Sequence, residues 1–204
     1  MSRDVIINEG SFRIVVVAAS TGGVDALSRI LSQLTPTFPA AIAIVQHRTM
    51  SFPTLLGELL QHRTKLRVKD AEEGEEIRAG IVYVAPPGIH LVVDARGRFG
   101  LVDGVKVKHA RPSGDVLFAS AAEAFGSRVI ALVLTGGDGD GSTGISVVKE
   151  HGGTVVSQDE ASAVASSMPQ SAIATGDVDY ILPLAYIASA LEELVGRGRT
   201  RSDL

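Results

Sequence analysis

The sequence predicts an α/β fold: a mostly parallel central sheet flanked by helices, doubly wound and Rossmann-like, with an antiparallel hairpin extension. Three observations predict it. Residues 12–19 (FRIVVVAA), 40–45 and 128–134 (RVIALVL) are short runs of Val, Ile, Leu and Ala, the pattern of strands buried on both faces. Segments with apolar residues at helical spacing alternate with such runs along the chain, as in βαβ architecture. Hydrophobic residues make up 45% of the chain and aromatic residues 4%, so the core is aliphatic.

The elements follow in order. The strand at 12–19 breaks at Ser20-Thr21-Gly22-Gly23, and residues 24–34 carry Val24, Leu27, Ile30, Leu31 and Leu34 on one helical face. Pro36 and Pro39 mark a loop before the strand at 40–45, which runs into Gln46-His47. A helix is expected over 53–63, an edge strand over 65–69 and an acidic surface loop over 71–80. Residues 81–85 read as a strand stopped by Pro86-Pro87-Gly88, and 90–93 with 98–102 as a hairpin. After an irregular stretch, Ser113 is placed to cap a helix reaching Phe125, with Asp115 in its first turn. The strand at 128–134 opens into a Gly-rich loop, and a helix follows over 142–150. A strand at 154–157, a short helix or loop at 161–165, a helix at 170–175 and a strand at 178–181 come next. The last helix covers 183–195, with Pro183 suited to its first turn.

A chain of 204 residues can bury a full core in one domain. The formal net charge of −4 and the lack of a long basic run argue against nucleic acid as a partner. Cysteine is absent, which excludes disulfides, thiolate metal sites and a cysteine nucleophile. No histidine pair has ligand spacing on one element, so no metal site is expected, and no cofactor. Residues 1–10 lack the apolar core of a signal peptide, and the apolar runs are too short to span a bilayer. A cytoplasmic protein without membrane insertion is expected.

In an open α/β sheet, ligands bind beyond the carboxyl ends of the strands. Three predicted strands end in chemically loaded residues: Ser20, His47, and the loop Thr135-Gly136-Gly137-Asp138-Gly139-Asp140-Gly141. Were those ends on one rim, a hydroxyl, an imidazole and a carboxylate would meet as a Ser-His-Asp triad, whose hallmark is geometry and not chain order. Each residue has an alternative. Ser20 with its glycines is also an N-cap turn or a phosphate cradle, although the P-loop lysine is missing. His47 alone is a structural strand-end histidine. Asp138-x-Asp140-x-Ser142 starts like a calcium loop, but Thr143 and Lys149 stand where Gly and Glu are required. His62 and His151 read as surface residues.

The segments AASTGG, VQH, APPGIH, HARPSGDVLFAS, VLTGGDGDGSTG and SMPQSA occur in this order between about Arg13 and Val195. Together they resemble the catalytic domain of the chemotaxis protein-glutamate methylesterases. The resemblance implies a serine hydrolase with Ser20 as nucleophile, His47 as general base and Asp140 as the orienting acid. It implies an oxyanion hole from the backbone N–H groups of Thr21 and Gly137, and a substrate cleft touched by Arg111, Met168 and His90. For these three the bland counterparts are helix entry, core packing and loop packing. The expected substrate is a glutamate methyl ester on a helical segment of a methyl-accepting receptor, with glutamine deamidation as a second activity. The layout implied is a leader at 1–10, a catalytic domain at 11–196 and a tail at 197–204. No receiver domain is included, so a receiver domain on a separate chain is a candidate partner. The alternatives are an anion- or nucleotide-binding module, or a degenerate member acting in signalling without hydrolysis. Four departures from the family pattern matter: Ala19 before the serine, Arg48-Thr49-Met50 after the histidine, Gly137 in place of methionine, and Asp138-Gly139 in place of Gly-Asn. The last puts a second negative charge close to Asp140, which is nevertheless expected to be ionised.

Overall fold

The computed structural model describes residues 12–47 and 55–196. The expected leader, tail and Arg48–Met50 segment lie outside the described residues. The long aliphatic runs become the central strands β1 (Ile14–Ala19), β2 (Ala41–Gln46) and β7 (Val129–Val133), all buried along their length. They lie in a seven-stranded sheet ordered β3-β4-β2-β1-β7-β8-β9, in which every pairing is parallel. The remaining strands are β3 (Arg67–Asp70), β4 (Ile81–Val84), β8 (Thr154–Gln158) and β9 (Tyr180–Leu182). The hairpin β5 (His90–Val93) and β6 (Phe99–Val102) forms a separate two-stranded antiparallel sheet. The expected edge strand is there, as β3 at one margin.

Alternation along each strand explains the layers. Ile14, Val16 and Ala18 of β1 face one core with Ala41, Ala43 and Val45 of β2 and Val129, Ala131 and Val133 of β7. That core is closed by Leu117, Phe118, Ala121 and Phe125 of α3 (Gly114–Phe125), by α4 (Ser142–Glu150) and α5 (Ser167–Ile173), and by Leu91 and Phe99 of the hairpin. Val15, Val17 and Ala19 face the opposite core, covered by α1 (Gly23–Gln33), α2 (Leu56–Gln61) and α6 (Leu184–Gly196). Helices on both faces are what a parallel sheet needs, since its strands are apolar on both sides. Small side chains on the α3 side bring that helix close: a Cβ at Gly114 would lie only 2.5 Å from Ala18 Cβ.

Most element boundaries fall within two or three residues of expectation. The helix α5 starts earlier than the sequence suggests because Pro169 lies in its first turn, where the missing N–H costs nothing. Among the described residues no helix is long and apolar enough to cross a membrane.

Candidate active site

Strand β1 is the centre of the sheet, with β2 on one side and β7 on the other. The chain reverses its direction of travel across the sheet here, and a crevice forms at such a switch point. Register fixes what meets there. Ala19 pairs with Gln46, and Ala18 with Val133, so Ser20, His47 and Thr135 come off three adjacent strand ends together. Backbone bonds continue the pattern: His47 N–H donates to Ala19 O (2.9 Å) and Ser20 N–H to Thr135 O (3.0 Å). Adjacent strands lie about 4.8 Å apart, so Ser20 and His47 are side by side.

Ser20 occupies a tight strand-to-helix turn. Gly22 has φ 80°, a conformation an L side chain adopts poorly, and a Cβ there would stand 2.7 Å from Val164 Cβ. Two polar residues brace the turn. Gln46 Nε2 donates to Ser20 O (2.8 Å) and to His47 O (3.1 Å), and Thr135 Oγ1 donates to Thr21 O (2.9 Å). The backbone N–H groups of Thr21 and Gly137 have no acceptor among the described residues. The two are close: a Cβ at Gly137 would lie 3.8 Å from Thr21 Oγ1. Both residues are exposed beside Ser20, and neither N–H has an acceptor among the described residues.

His47 Nε2 is 2.8 Å from Asp140 Oδ2. The Asp140 side chain is 0% exposed, yet it is well supplied with donors. Ser113 Oγ donates to Oδ1 (2.6 Å), Asp115 N–H donates to Oδ1 (3.2 Å), and Gly114 N–H donates to Oδ2. The start of α3 therefore clamps this carboxylate with its unpaired N–H groups and positive dipole end. Burial pushes the Asp140 carboxyl up, but the bonds from His47, Ser113, Gly114 and Asp115 outweigh it and leave it below the usual carboxylate range. That balance favours its charged form.

The other ring nitrogen is also occupied: His47 Nδ1 lies 2.9 Å from Asp138 Oδ2. Burial pushes the imidazole down, but the bonds to Asp138 and Asp140 and their charges outweigh it, and its pKa is raised to about 9. Asp138 is itself held below the usual range, because the His47 bond and the Asp140 N–H outweigh its burial.

Ser20, Thr21, His47, Gly137 and Asp140 are thus brought to one rim. Met168 is close by but fully buried: it packs under Gly136, where an added Cβ would overlap Met168 Sδ and stand 2.9 Å from Ser20 Cβ. It supports the floor and offers no surface to a cleft. The Arg111 guanidinium is taken by Asp103 Oδ1 and Gly104 O, both at 2.7 Å. His90 is corrected as a cleft residue: it is 3% exposed, and its Nε2 bonds Val105 O (2.9 Å). Its position on β5, packed behind the loop after β6, turns it inward. Ser113 is corrected too. It occupies the N-cap position of α3 without capping it, because its hydroxyl serves Asp140.

Several residues of the site were not foreseen. Gln46 and Thr135 end runs of apolar strand residues, and a polar side chain there is the signal that marks them. Lys108 had none. Its ammonium binds Gly139 O (3.0 Å), Ser142 Oγ (2.7 Å), Thr143 Oγ1 (2.9 Å) and Asp115 Oδ2 (3.0 Å), tying the loop after β7 to α3.

Comparison with known proteins identifies the family. The family model for CheB methylesterase matches residues 15–191. The protein-glutamate methylesterase FrzG of Myxococcus xanthus is 41% identical over 184 residues, 90% of this chain and 55% of that protein. A putative protein-glutamate methylesterase/protein-glutamine glutaminase of Leptospira interrogans is 39% identical over 178 residues, 87% of this chain and 92% of that protein. The chain therefore spans about half the length of FrzG and nearly all of the Leptospira relative. The crystal structure of the Thermotoga maritima CheB methylesterase catalytic domain matches with a TM-score of 0.88 at 41% identity, over 91% of this chain and 100% of that one. A seven-stranded parallel sheet with these strand ends, matched by sequence and by structure along nearly all of the described residues, places the chain in the CheB methylesterase family.

Proposed function

We propose that the chain is a serine hydrolase that demethylates glutamate γ-methyl esters, and deamidates glutamine, on the helical cytoplasmic segment of a methyl-accepting chemoreceptor-type protein. Ser20 is the nucleophile, His47 the general base and Asp140 its orienting acid. The observation that carries this reading is the convergence at one rim of Ser20, the His47–Asp140 hydrogen bond and two backbone N–H groups without an acceptor among the described residues. The names of the relatives support the reaction class.

In the first step neutral His47 takes the proton of Ser20 Oγ as that oxygen attacks the γ-carbonyl carbon. The developing oxyanion accepts hydrogen bonds from Thr21 and Gly137 N–H. The imidazolium then protonates the departing methoxide, and methanol leaves an acyl-Ser20 ester. Water, deprotonated by His47, attacks that ester and releases glutamate and free Ser20. With glutamine the first leaving group is ammonia and the rest is unchanged. Asp140 stays ionised throughout and stabilises the imidazolium.

Methanol release from a methyl-esterified receptor peptide tests the assignment. Ser20→Ala should lower turnover on the order of 10⁴- to 10⁶-fold. A fluorophosphonate should label wild type at Ser20. Retained turnover in Ser20→Ala would overturn the proposal, and tight nucleotide binding without labelling would favour a binding module instead.

A further inference from the structure

We propose that Asp138 is a positioning residue of this site, holding His47 at rest in an arrangement that Ser20 cannot use, so that turnover begins with the Asp138 carboxylate leaving Nδ1. The inference rests on the hydrolase reading above and adds a condition to it.

Hydrogen-bond inventory alone sets up the problem. An ionised carboxylate only accepts, and a neutral imidazole has one donor and one acceptor nitrogen. His47 meets Asp140 at Nε2 and Asp138 at Nδ1, at 2.8 and 2.9 Å. Both nitrogens must therefore donate, and the ring is an imidazolium. It has no lone pair with which to take a serine proton. Consistently, the Ser20 hydroxyl has no hydrogen-bond partner among the described residues.

The two carboxylates are not equivalent. Asp140 is fully buried and held by Ser113, Gly114 and Asp115 as well as His47. Withdrawing it would strand all of those donors. The Asp138 side chain is 35% exposed, and among the described residues it accepts, besides the ring, only the Asp140 N–H, at 3.1 Å on Oδ1. Glycines flank it on both sides. A rotation about its side-chain bonds delivers Oδ2 to water and frees Nδ1. Of the two, Asp138 is the one that can move, and the ring that remains is still oriented by Asp140.

Among the described residues, the surrounding charges leave this pair isolated. From the loop after β7 come Asp138 and Asp140. From the start of α3 comes Asp115, which accepts the N–H groups of Thr143 and Gly144. From the segment before α3 comes Lys108, whose ammonium is engaged by Gly139 O, Ser142, Thr143 and Asp115. Neither β1 nor β2 contributes a charged side chain here; Ser20 and Gln46 are neutral. Among the described residues, two anions thus share one cation. The raised His47 pKa of about 9 agrees, and leaves roughly one ring in a hundred neutral at pH 7.

The test compares wild type with Asp138→Asn and Asp138→Gly in the full chain. Two quantities are measured from pH 6 to 10: the His47 ring titration by NMR, and kcat/KM for a methyl-esterified receptor peptide. Removing Asp138 should lower the His47 titration midpoint by at least one pH unit. It should move the rising limb of kcat/KM equally, and raise kcat/KM at pH 7 about tenfold or more. Two variants guard against misfolding of one. Coincident titrations and coincident pH profiles in all three proteins would overturn the proposal. So would a shifted titration with unmoved kinetics, since the contact would then be structural only. Failure of the hydrolase reading has a different outcome: Ser20→Ala as active as wild type at every pH, whatever the His47 titration shows.

Discussion

Replacing Asp140 with asparagine changes one oxygen into an NH₂ group inside a site built from donors. Oδ1 accepts Ser113 Oγ and Asp115 N–H, while Oδ2 accepts His47 Nε2 and Gly114 N–H. The new amide can lie either way. With its nitrogen at the Oδ1 position, the Ser113 hydroxyl can turn and accept, but the Asp115 N–H loses its acceptor. With its nitrogen at the Oδ2 position, a neutral His47 can accept, but the Gly114 N–H is stranded. Either orientation leaves one buried backbone donor unpaired, at about 1–3 kcal/mol. Lost charge assistance in the surviving bonds and a lost anion at the α3 N-terminus add about 1–2 kcal/mol more. Asp140→Asn should therefore be less stable by about 2–5 kcal/mol. At roughly 2–4 °C per kcal/mol for a domain this size, the melting temperature should fall by about 4–20 °C. Urea denaturation with a fluorescent dye, or calorimetry, measures both. A loss below about 1 kcal/mol, with the protein folded by circular dichroism, would refute the claim that α3 donors are organised around this carboxylate.

Two further outcomes follow from neighbouring geometry. In Gly136→Ala the new methyl would overlap Met168 Sδ and approach Ser20 Cβ to 2.9 Å, and both neighbours sit in tight packing. Stability should fall by about 1–3 kcal/mol, and Ser20 labelling by a fluorophosphonate should slow about 100-fold as the serine is displaced; unchanged labelling would refute it. His47 provides the second: its pKa is raised in the folded state from 6.5 to about 9. Its contribution is therefore complete below pH 6.5 and disappears as pH rises through about 9. At about 1.4 kcal/mol per pH unit this is roughly 3 kcal/mol. The stability gap between wild type and His47→Ala should shrink by that much between pH 6 and 10, and a gap independent of pH would contradict the two-carboxylate arrangement.

What the sequence made legible followed from position on strands. Ser20 and His47 each end an aliphatic run, and buried parallel strands are the easiest elements to read, so their meeting at a rim was within reach. Asp140 needed more, since it lies several residues past its strand in a Gly-rich loop. The partners of these groups were hidden for a physical reason: they are long-range side-chain choices. Ser113 has the residue type and place of an N-cap, and only the approach of α3 to β1 diverts its hydroxyl to Asp140. His90 sits next to a turn, yet the fold of residues 103–112 over β5 turns its ring inward to Val105 O. For Asp138 the sequence indicated like-charge repulsion with Asp140. The structure places the His47 ring between them, and its hydrogen bonds, with those of neighbouring donors, outweigh burial and hold both carboxyls below the usual range.

The contrast between those two acids shows how the site divides its demands on the fold. A carboxylate with no exposure is unfavourable by several kcal/mol unless donors surround it. Here the donors come from the first residues of α3, and α3 reaches them only because Ala18 on β1 and Gly114 on the helix are small enough to touch. The orientation of His47 toward Asp140 is thus fixed by core packing, and any change there is felt as lost stability. Asp138 lies outside that packing, two residues earlier, on the half-exposed part of the same loop. A substitution at 138 can alter when the ring is available without disturbing where it is held. That separation leaves position 138 open to change while the buried contact between His47 and Asp140 is kept.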